Sequence, residues 1–336
     1  MAMPTLDDVA REVGVHPSTV SRALNPNKAA LVNPETRRAV EEAARRLGYR
    51  PHMGARGLQS GRTATVGVVA ADLGNPFVTP IIHGLTAALE VAELMPVVAE
   101  TQDEHERFVR ILDHMLSRRV DAVIALAARA GDRHILEEAA RATPVVIAAR
   151  PLPGCDLPQV VHDDGAGARL VVEHLHDLGH TRVAQLRGPL DVANFDHRAK
   201  AFTAECQARG IVEVEVPETG ARPTMQEGRR VAESLLRQSD RVPSAIFAHN
   251  DLMAIGALGA LRAMELHVPD DVSLVGYNDT PMTDLVAPPL TTVHYPSREV
   301  GVAAGQVAIA LLQDEEVDDV CLDPRLVSRE STQRAR

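Results

Sequence analysis

Residues 5–25 read TLDDVAREVGVHPSTVSRALN, a stretch that predicts two short helices joined by a tight turn. Apolar residues recur at helical spacing along the first helix, at Leu6, Val9, Ala10 and Val13. Gly14 ends this helix, because glycine readily adopts the positive φ of a helix end, and Pro17 suits the first turn of the next one. The outward face of the second helix carries short side chains and one arginine, namely Pro17, Ser18, Thr19, Ser21 and Arg22. Such a face is suited to reading base edges in the major groove of DNA, although two helices joined by a glycine also occur in proteins of other functions.

A third helix is predicted from about Pro34 to Leu47, with Asn33 as its N-cap and Gly48 at its end. Together the three short helices make a small all-α head, which we assign to residues 1–50. A joint follows at residues 51–61, and its glycines make a helix there unstable in isolation. We therefore expect the joint to become helical only where something supports it.

From Thr65 onward, apolar strands alternate with helices. Strands are predicted at 65–72, Met95–Ala99, Ala122–Ala125, Pro144–Ala148, Arg182–Leu186, Ala245–Ala248 and Ser273–Tyr277, and helices between most of them, including Phe77–Glu93 and Gly165–Leu178. This alternation is typical of a doubly wound α/β fold with parallel sheets. Proline and glycine are dense at residues 151–158, which predicts two lobes that face each other across a cleft for a small ligand.

The formal net charge of −11 is unevenly distributed along the chain. Residues 1–61 hold nine basic and six acidic residues, so this part is basic and the remainder is strongly acidic. A basic head on an acidic body is consistent with a protein that touches phosphate groups at one end only. The acidic whole argues against non-specific coating of nucleic acid by the entire molecule.

The cysteines and the apolar runs exclude other classes of protein. The three cysteines, Cys155, Cys206 and Cys321, are scattered and show neither a disulfide pattern nor the spacing of a metal site. The N-terminus lacks a signal-peptide pattern, and no run of 18 apolar residues occurs. We therefore expect a cytoplasmic protein with no membrane segment.

A basic helix-turn-helix head, a joint and a two-lobed α/β body, in this order, resemble the lactose/galactose repressor family of bacterial regulators. The resemblance extends over nearly the whole chain. Its motifs are STVSRALN at 18–25, GVV at 67–69 with NPF at 75–77, EHL and LGH within 173–180, AIFAHNDLMAIGAL at 245–258, SLVGYNDT at 273–280, PPLTTV at 288–293, and RE-ST at 329–332. It implies a periplasmic-binding-protein-like body at residues 62–336 that binds an effector and dimerises. Lobe 1 would comprise about 62–160 plus 292–320, and lobe 2 about 161–291 plus 321–336.

For the head, the resemblance implies a set of DNA-contacting residues. Pro17, Ser18 and Arg22 would read bases, while Thr5, Leu6, Thr19, Ser21 and Asn25 would contact phosphate or set the helix, and Asn33 would add a backbone contact. Leu58 matches a leucine that is wedged into the minor groove and kinks the duplex. The alternative for Leu58 is a linker leucine that packs on its own body. His16 departs from the pattern, and histidine is a poorer N-cap than the usual serine.

For the body, the resemblance implies an effector site between the lobes. Its residues would be Asn75, Phe77, Ile81, Arg150, Asn194, Asp196, Arg198, Asn250, Asp251, Asn278 and Tyr295. Amides, carboxylates and a planar arginine suit a sugar or another polyol, because each hydroxyl both donates and accepts a hydrogen bond. Asp251 has the alternative role of a helix cap, and Asn278 lies at a strand end where Asn is common anyway. In sugar-binding members of the family, carboxylates are frequent at the positions of Ala149 and Asn278. Their absence here, together with the nearby Arg150, favours an effector with fewer cation-like donors or with an acidic group.

These expectations combine into one function. We predict a transcriptional regulator, most simply a repressor, that binds a pseudo-palindromic double-stranded DNA operator as a homodimer and responds to a small carbohydrate effector. No heptad repeat follows Thr332, which favours a dimer over a coiled-coil tetramer.

The sequence leaves three alternative functions to consider. The same architecture serves transcriptional activators, and the body alone would suit a solute-binding protein. An enzyme is disfavoured because no dinucleotide-binding loop, P-loop or nucleophile elbow is present, and no cofactor is expected. A metal site at His174, His176 and His180 is also disfavoured, because Gly179 ends the helix between the last two.

Overall fold

The computed structural model describes residues 4–25, 28–49, 62–238 and 241–336. The chain divides into two compact units, a head up to Thr63 and a body from Ala64 to Arg336. The predicted joint at 51–61, with Leu58, lies outside the described residues.

The head contains the three predicted helices. They are α1 (Leu6–Val13), α2 (Pro17–Ala23) and α3 (Pro34–Leu47), with a 3₁₀ turn at Ala29–Leu31 before the last. Val9, Val20 and Val40, one from each helix, are fully buried and form the centre of a small apolar core. Gly14 ends α1 with a φ of 71°, as its position in the sequence predicts.

The body contains two six-stranded sheets. In chain order the strands are β1 (Thr65–Ala70), β2 (Met95–Glu100), β3 (Ala122–Ala125), β4 (Val145–Ala148), β5 (Gln159–His162), β6 (Arg182–Leu186), β7 (Val212–Glu213), β8 (Ala245–Ala248), β9 (Ser273–Asn278), β10 (Thr291–His294), β11 (Val320–Leu322) and β12 (Arg325–Val327). The first sheet has the order β11-β5-β4-β3-β1-β2, and the second has the order β12-β10-β9-β8-β6-β7. Strand pairings are parallel, except that β12 runs antiparallel to β10.

Helices cover both faces of each sheet. They are α4 (Val78–Val91), α5 (His105–Ser117), α6 (Arg133–Ala139), α7 (Asp164–Asp177), α8 (Ala193–Ala208), α9 (Met225–Gln238), α10 (Asp251–Ala263) and α11 (Ser297–Leu312). In the first lobe, α4 and α11 pack on one face of the sheet, and α5 and α6 pack on the other. Because both faces are covered, the inner strands β3, β4 and β8 are apolar throughout, and this arrangement confirms the predicted doubly wound fold.

The chain crosses between the lobes after β5, after β10 and after β11. Strand β10 pairs with β9 in the second sheet, so the first lobe resumes only after His294, not at residue 292 as expected. Strands β5 and β11 also extend past the expected boundaries at 160 and 320. Short strands of β-branched residues carry no signal of the sheet they join, which is why these boundaries are displaced.

Candidate functional site

The exposed side of α2 carries the side chains predicted to read bases. Ser18, Ser21 and Arg22 are exposed, whereas Val20 and Ala23 are buried in the core of the head. The other predicted DNA-contacting residues of the head, Thr5, Leu6, Pro17, Thr19, Asn25 and Asn33, are exposed or half-buried. The face of α2 that would enter a groove is therefore polar and accessible.

His16 acts as the N-cap of α2, although the sequence predicted a weak cap there. Its Nδ1 atom accepts a hydrogen bond from the backbone N–H of Ser18 at 3.2 Å and lies 2.8 Å from the Ser18 hydroxyl oxygen. The imidazole thus supplies the acceptor that a serine would otherwise offer. It also holds the Ser18 side chain in one orientation.

Two other predicted DNA-contacting residues cap helices. The hydroxyl of Thr5 accepts from the backbone N–H of Asp8 and donates to the Asp8 carboxylate at 2.7 Å. The carboxylate also accepts from the Thr5 backbone N–H, and these hydrogen bonds lower the pKa of Asp8. Asn33 accepts from the backbone N–H of Glu35 at 2.9 Å and caps α3. Their contacts to DNA stay predictions, but their local role fixes both helix starts.

A cleft of about 260 Å³ opens at the carboxyl ends of the strands and receives residues from both lobes. The carboxyl end is where parallel α/β sheets generally bind ligands. Eight of the eleven predicted effector residues line this cleft, namely Asn75, Phe77, Ile81, Arg150, Asn194, Arg198, Asn250 and Asn278.

Asp251 is absent from the cleft lining, and its carboxylate serves the interior of the second lobe. It accepts from the Thr280 backbone N–H at 2.7 Å and from the Thr292 hydroxyl at 2.6 Å. Burial raises the pKa of Asp251 to about 7. The cap of α10 is the preceding residue, Asn250, which accepts from the Met253 backbone N–H at 2.8 Å. Asp251 thus does not line the cleft, and it is not the cap considered from the sequence.

Asp196 and Tyr295 also lie outside the cleft lining. Asp196 forms an ion pair with Lys200 at 2.7 Å, one turn further along α8. Tyr295 is buried, and its hydroxyl donates to the Ala149 carbonyl oxygen at 3.2 Å. Its ring packs edge-on against Phe77, with the ring centres 4.7 Å apart. Tyr295 therefore supports the cleft wall from behind.

Arg198 is the most constrained side chain of the cleft. It is fully buried, donates to Asp164 at 2.8 Å and to the His249 carbonyl oxygen at 2.5 Å, and lies 3.6 Å from the centre of the Tyr277 ring. Burial alone raises the pKa of Asp164, but the Arg198 guanidinium and His162 more than offset this, and the pKa lies below its usual value. The charge of Arg198 is therefore neutralised within the protein, and the guanidinium is held in place by these contacts at the cleft wall.

Arg150 is neutralised in the same way. It contacts both carboxylate oxygens of Asp103, at 2.6 and 3.3 Å, and Arg129 lies 3.4 Å from the same carboxylate. Burial raises the pKa of Asp103, but the two arginines more than offset that effect and lower it. Because Arg150 already has a carboxylate partner, its presence does not favour an acidic effector, contrary to the expectation from the sequence.

Several polar residues of the cleft were not predicted from the sequence. They are Asp72, Glu100, Gln102 and Asp103 from the first lobe, and Arg222 and Thr224 from the second. Asp72 follows β1 and Glu100 ends β2, so their position after strands of a parallel sheet was a usable signal. The segment with Arg222 has no such pattern. Ala149 and Asn278 bring no carboxylate to the cleft, and other strand ends supply carboxylates instead.

Two amide oxygens in the cleft wall have no donor. Among the residues that the structure describes, Oδ1 of Asn194 and Oδ1 of Asn278 are buried and accept no hydrogen bond. A buried acceptor without a donor costs free energy, so the wall favours a ligand that brings hydroxyl or amino hydrogens.

The histidines considered as a metal site have other partners. His174 contacts the Thr332 hydroxyl at 3.0 Å, and His180 contacts the Ser244 hydroxyl at 2.9 Å and the Gln333 carbonyl at 3.1 Å. Both rings tie the last residues of the chain to the second lobe. Within residues 4–25, 28–49, 62–238 and 241–336, no cluster of His, Cys, Asp and Glu has the arrangement of a metal site, and no helix is long and apolar enough to cross a membrane.

Comparisons with known proteins match both units. The model of "Bacterial regulatory proteins, lacI family" matches residues 5–52, and that of "Periplasmic binding protein-like domain" matches 172–332. Catabolite control protein A of Priestia megaterium is 31% identical over 331 residues, which covers 98% of this chain and 99% of that protein. The Lac repressor dimer bound to operator and the anti-inducer ONPF has a TM-score of 0.88 at 28% identity, over 99% of this chain and 100% of that chain. The complex of transcriptional regulator CelR with cellobiose has a TM-score of 0.74 at 30% identity, over 98% and 99% of the two chains.

Proposed function

This chain belongs to the lacI family of bacterial regulatory proteins, and we propose that it is a transcriptional repressor that binds operator DNA as a homodimer and responds to a sugar held between its lobes. It would act in the cytoplasm, where operator DNA is found. Effector binding and DNA binding would bias one equilibrium, so that each changes the affinity for the other.

The exposed face of α2 supports the proposed DNA contact. Arg22 and Ser18 lie on that face, and Pro17 starts the helix. An arginine in the major groove recognises guanine through two hydrogen bonds, and short hydroxyl side chains reach base edges or phosphate. The basic residues of the head add the phosphate contacts that give most of the affinity.

The polarity of the cleft carries the proposed effector class. Arg198, which is buried, and Arg150, which is half-buried, are neutralised by Asp164 and Asp103, while the amide oxygens of Asn194 and Asn278 lack donors. Fixed N–H donors together with unsatisfied acceptors match a neutral polyhydroxylated molecule, whose hydroxyl groups both donate and accept. The related CelR was solved with cellobiose, which is a compound of this class.

A thermal-shift screen of the full chain tests the effector class. We expect one or more neutral sugars to raise the unfolding temperature, because a ligand that binds only the folded state stabilises it. Gln102→Ala, at the edge of the cleft, should reduce the shift. The matched variant Gln207→Ala, exposed on α8 and outside the cleft lining, should leave it unchanged. A response to phosphorylated or carboxylated sugars alone would contradict a neutral effector.

Arg22→Ala tests the DNA-binding role. DNA fragments selected from a random pool by the wild-type protein serve as the probe. Loss of a bidentate base contact should weaken binding by about ten- to a hundred-fold, and higher salt should weaken the wild-type complex steeply. Arg141→Ala, on the exposed surface of the body, is the control. If Arg22→Ala also abolished the thermal shift with the sugar, the proposal that the head binds DNA and the cleft binds the effector as separate sites would be wrong.

A further inference from the structure

An ion pair joins the two lobes of the body. Arg129 follows β3 in the first lobe, and Asp191 lies in the turn before α8 in the second. The guanidinium Nη1 of Arg129 contacts the carboxylate Oδ2 of Asp191. Neither residue lines the cleft, although α8 also carries Asn194 and Arg198, which do.

The backbone beneath Arg129 is held firmly. The Arg129 backbone N–H donates to Oδ2 of Asp132 at 2.9 Å, and the other oxygen of that carboxylate lies 2.6 Å from Nδ1 of His105. Asp132 is fully buried, so the turn that presents Arg129 is anchored in the core of the first lobe. Contacts within the first lobe therefore fix the position of the Arg129 guanidinium independently of its contact with the second lobe.

Arg129 also connects the ion pair to the cleft. Its Nη2 lies 3.4 Å from the Asp103 carboxylate, which Arg150 contacts from the cleft side at 2.6 Å. Positive and negative groups thus alternate from the cleft lining, through Asp103 and Arg129, to Asp191 on the opposite lobe. Removal of the Asp191 carboxylate leaves Arg129 bound to the first lobe alone.

We propose that Arg129 and Asp191 form an electrostatic latch that holds the lobes together beside the effector cleft. Movement of the lobes apart must separate this pair. The Asp191 side chain is 60% exposed, so the attraction is screened by salt. Both are positioning residues, since neither lines the cleft. The latch rests on the proposed function and deepens it, because opening of the cleft is the step that an effector would bias.

Hydrogen–deuterium exchange of the full-length protein, with no ligand added, tests the latch. In Asp191→Asn we expect amides of residues 72–77 and 220–224, on opposite cleft walls and distant in sequence from both latch residues, to exchange about two- to five-fold faster than in the wild type. High salt should raise the wild-type exchange toward that of the variant. Asp191→Glu keeps the charge and should exchange at nearly the wild-type rate.

Glu137→Gln is the matched control. Glu137 pairs with Arg133 at 2.6 Å within the first lobe, so this variant also converts an ion-paired carboxylate to an amide. It should leave exchange in the cleft unchanged. Equal exchange in wild type and Asp191→Asn, or a change confined to peptides next to residue 191, would overturn the latch. The readout involves neither sugar nor DNA, so this result is separate from the tests of the proposed function.

Discussion

The carboxyl group of Asp251 is fully buried in the second lobe, and burial raises its pKa from the ordinary 3.8 to about 7. A folded-state pKa above the unfolded-state value means that the protonated form is favoured by folding. The contribution of protonated Asp251 to the free energy of unfolding is fully present below pH 3.8 and is lost as the pH rises through about 7. We therefore expect Asp251 to make the body less stable in mildly alkaline solution.

Asp251→Asn should remove this pH dependence, because the amide stays neutral. Relative to the variant, the wild-type free energy of unfolding should fall by on the order of 4 kcal/mol between about pH 4 and pH 8. Urea unfolding followed by circular dichroism at several pH values measures it. Asp196→Asn, which alters a half-exposed carboxylate paired with Lys200, is the control and should show no such difference. Parallel pH profiles for wild type and Asp251→Asn would contradict the prediction.

Arg198 and Asp164 form a buried ion pair whose members depend on each other. Arg198→Leu leaves the Asp164 carboxylate buried without its cation, which should destabilise the body by about 3–5 kcal/mol. Replacement of both residues by leucine should recover much of that loss, since no uncompensated charge remains. A double-mutant cycle of urea unfolding measures the coupling, and additive effects of the two single variants would show that the pair is not energetically linked.

Helices α4 and α11 in the first lobe pack closely because glycine lies at their contact. A Cβ atom at Gly301 would lie 2.0 Å from the Ile81 carbonyl oxygen, and one at Gly84 would lie 2.1 Å from the Arg298 carbonyl oxygen. Backbone atoms cannot move aside as a flexible side chain can. Gly301→Ala should therefore force the two helices apart and cost at least about 1–3 kcal/mol of stability.

Gly259→Ala is the matched control for this packing. Gly259 lies within α10, and a Cβ atom there meets no heavy atom within 4 Å. Alanine in an open helical position stabilises the helix by roughly 0.5–1 kcal/mol. Thermal and urea unfolding should thus shift in opposite directions for the two Gly→Ala variants. A loss of stability in both would mean that helix packing at Gly301 is not the cause.

Helix ends and long elements were predictable from the sequence because their signals are local. Helix α3 begins and ends where Pro34 and Gly48 predict, and strands β3, β6 and β8 have the predicted bounds. Strands β5, β10, β11 and β12 were missed or displaced, since each is short and its place depends on pairing with distant strands. The crossovers between lobes follow from those pairings and were therefore displaced as well.

The cleft was predicted in part for a similar reason. Residues that the family motifs mark, such as Asn75 and Asn250, do line it. A resemblance in sequence cannot distinguish a side chain that lines the cleft from one that lies behind its wall, and Asp251 and Tyr295 do not line it. Arg222 joins the site through tertiary folding alone, and its neighbouring sequence carries no sign of this.

The proposed function requires two heads held at a fixed separation, and hence a dimer interface on the body. Strand β2 lies at an edge of the first sheet and exposes Met95 and Val97, while Val91 at the end of α4 is 88% exposed. A group of exposed apolar side chains on an edge strand is costly in a monomer, because such an edge invites association. We propose that a second copy of the chain covers this edge.

Met95→Lys with Val97→Lys should separate the dimer, because two desolvated charges per subunit would enter the interface. We expect the dimer dissociation constant to rise by about 100-fold or more in sedimentation experiments, with thermal stability becoming lower and less dependent on protein concentration. Val212→Lys, an exposed valine on edge strand β7 of the second sheet, is the control and should stay dimeric. Operator binding should weaken with dissociation, since one head grips only half of a two-fold site. If the variant with Met95→Lys and Val97→Lys stays dimeric, the interface lies elsewhere on the body. Misfolding would not explain either outcome, because lysine on an exposed edge strand leaves the fold of the monomer intact.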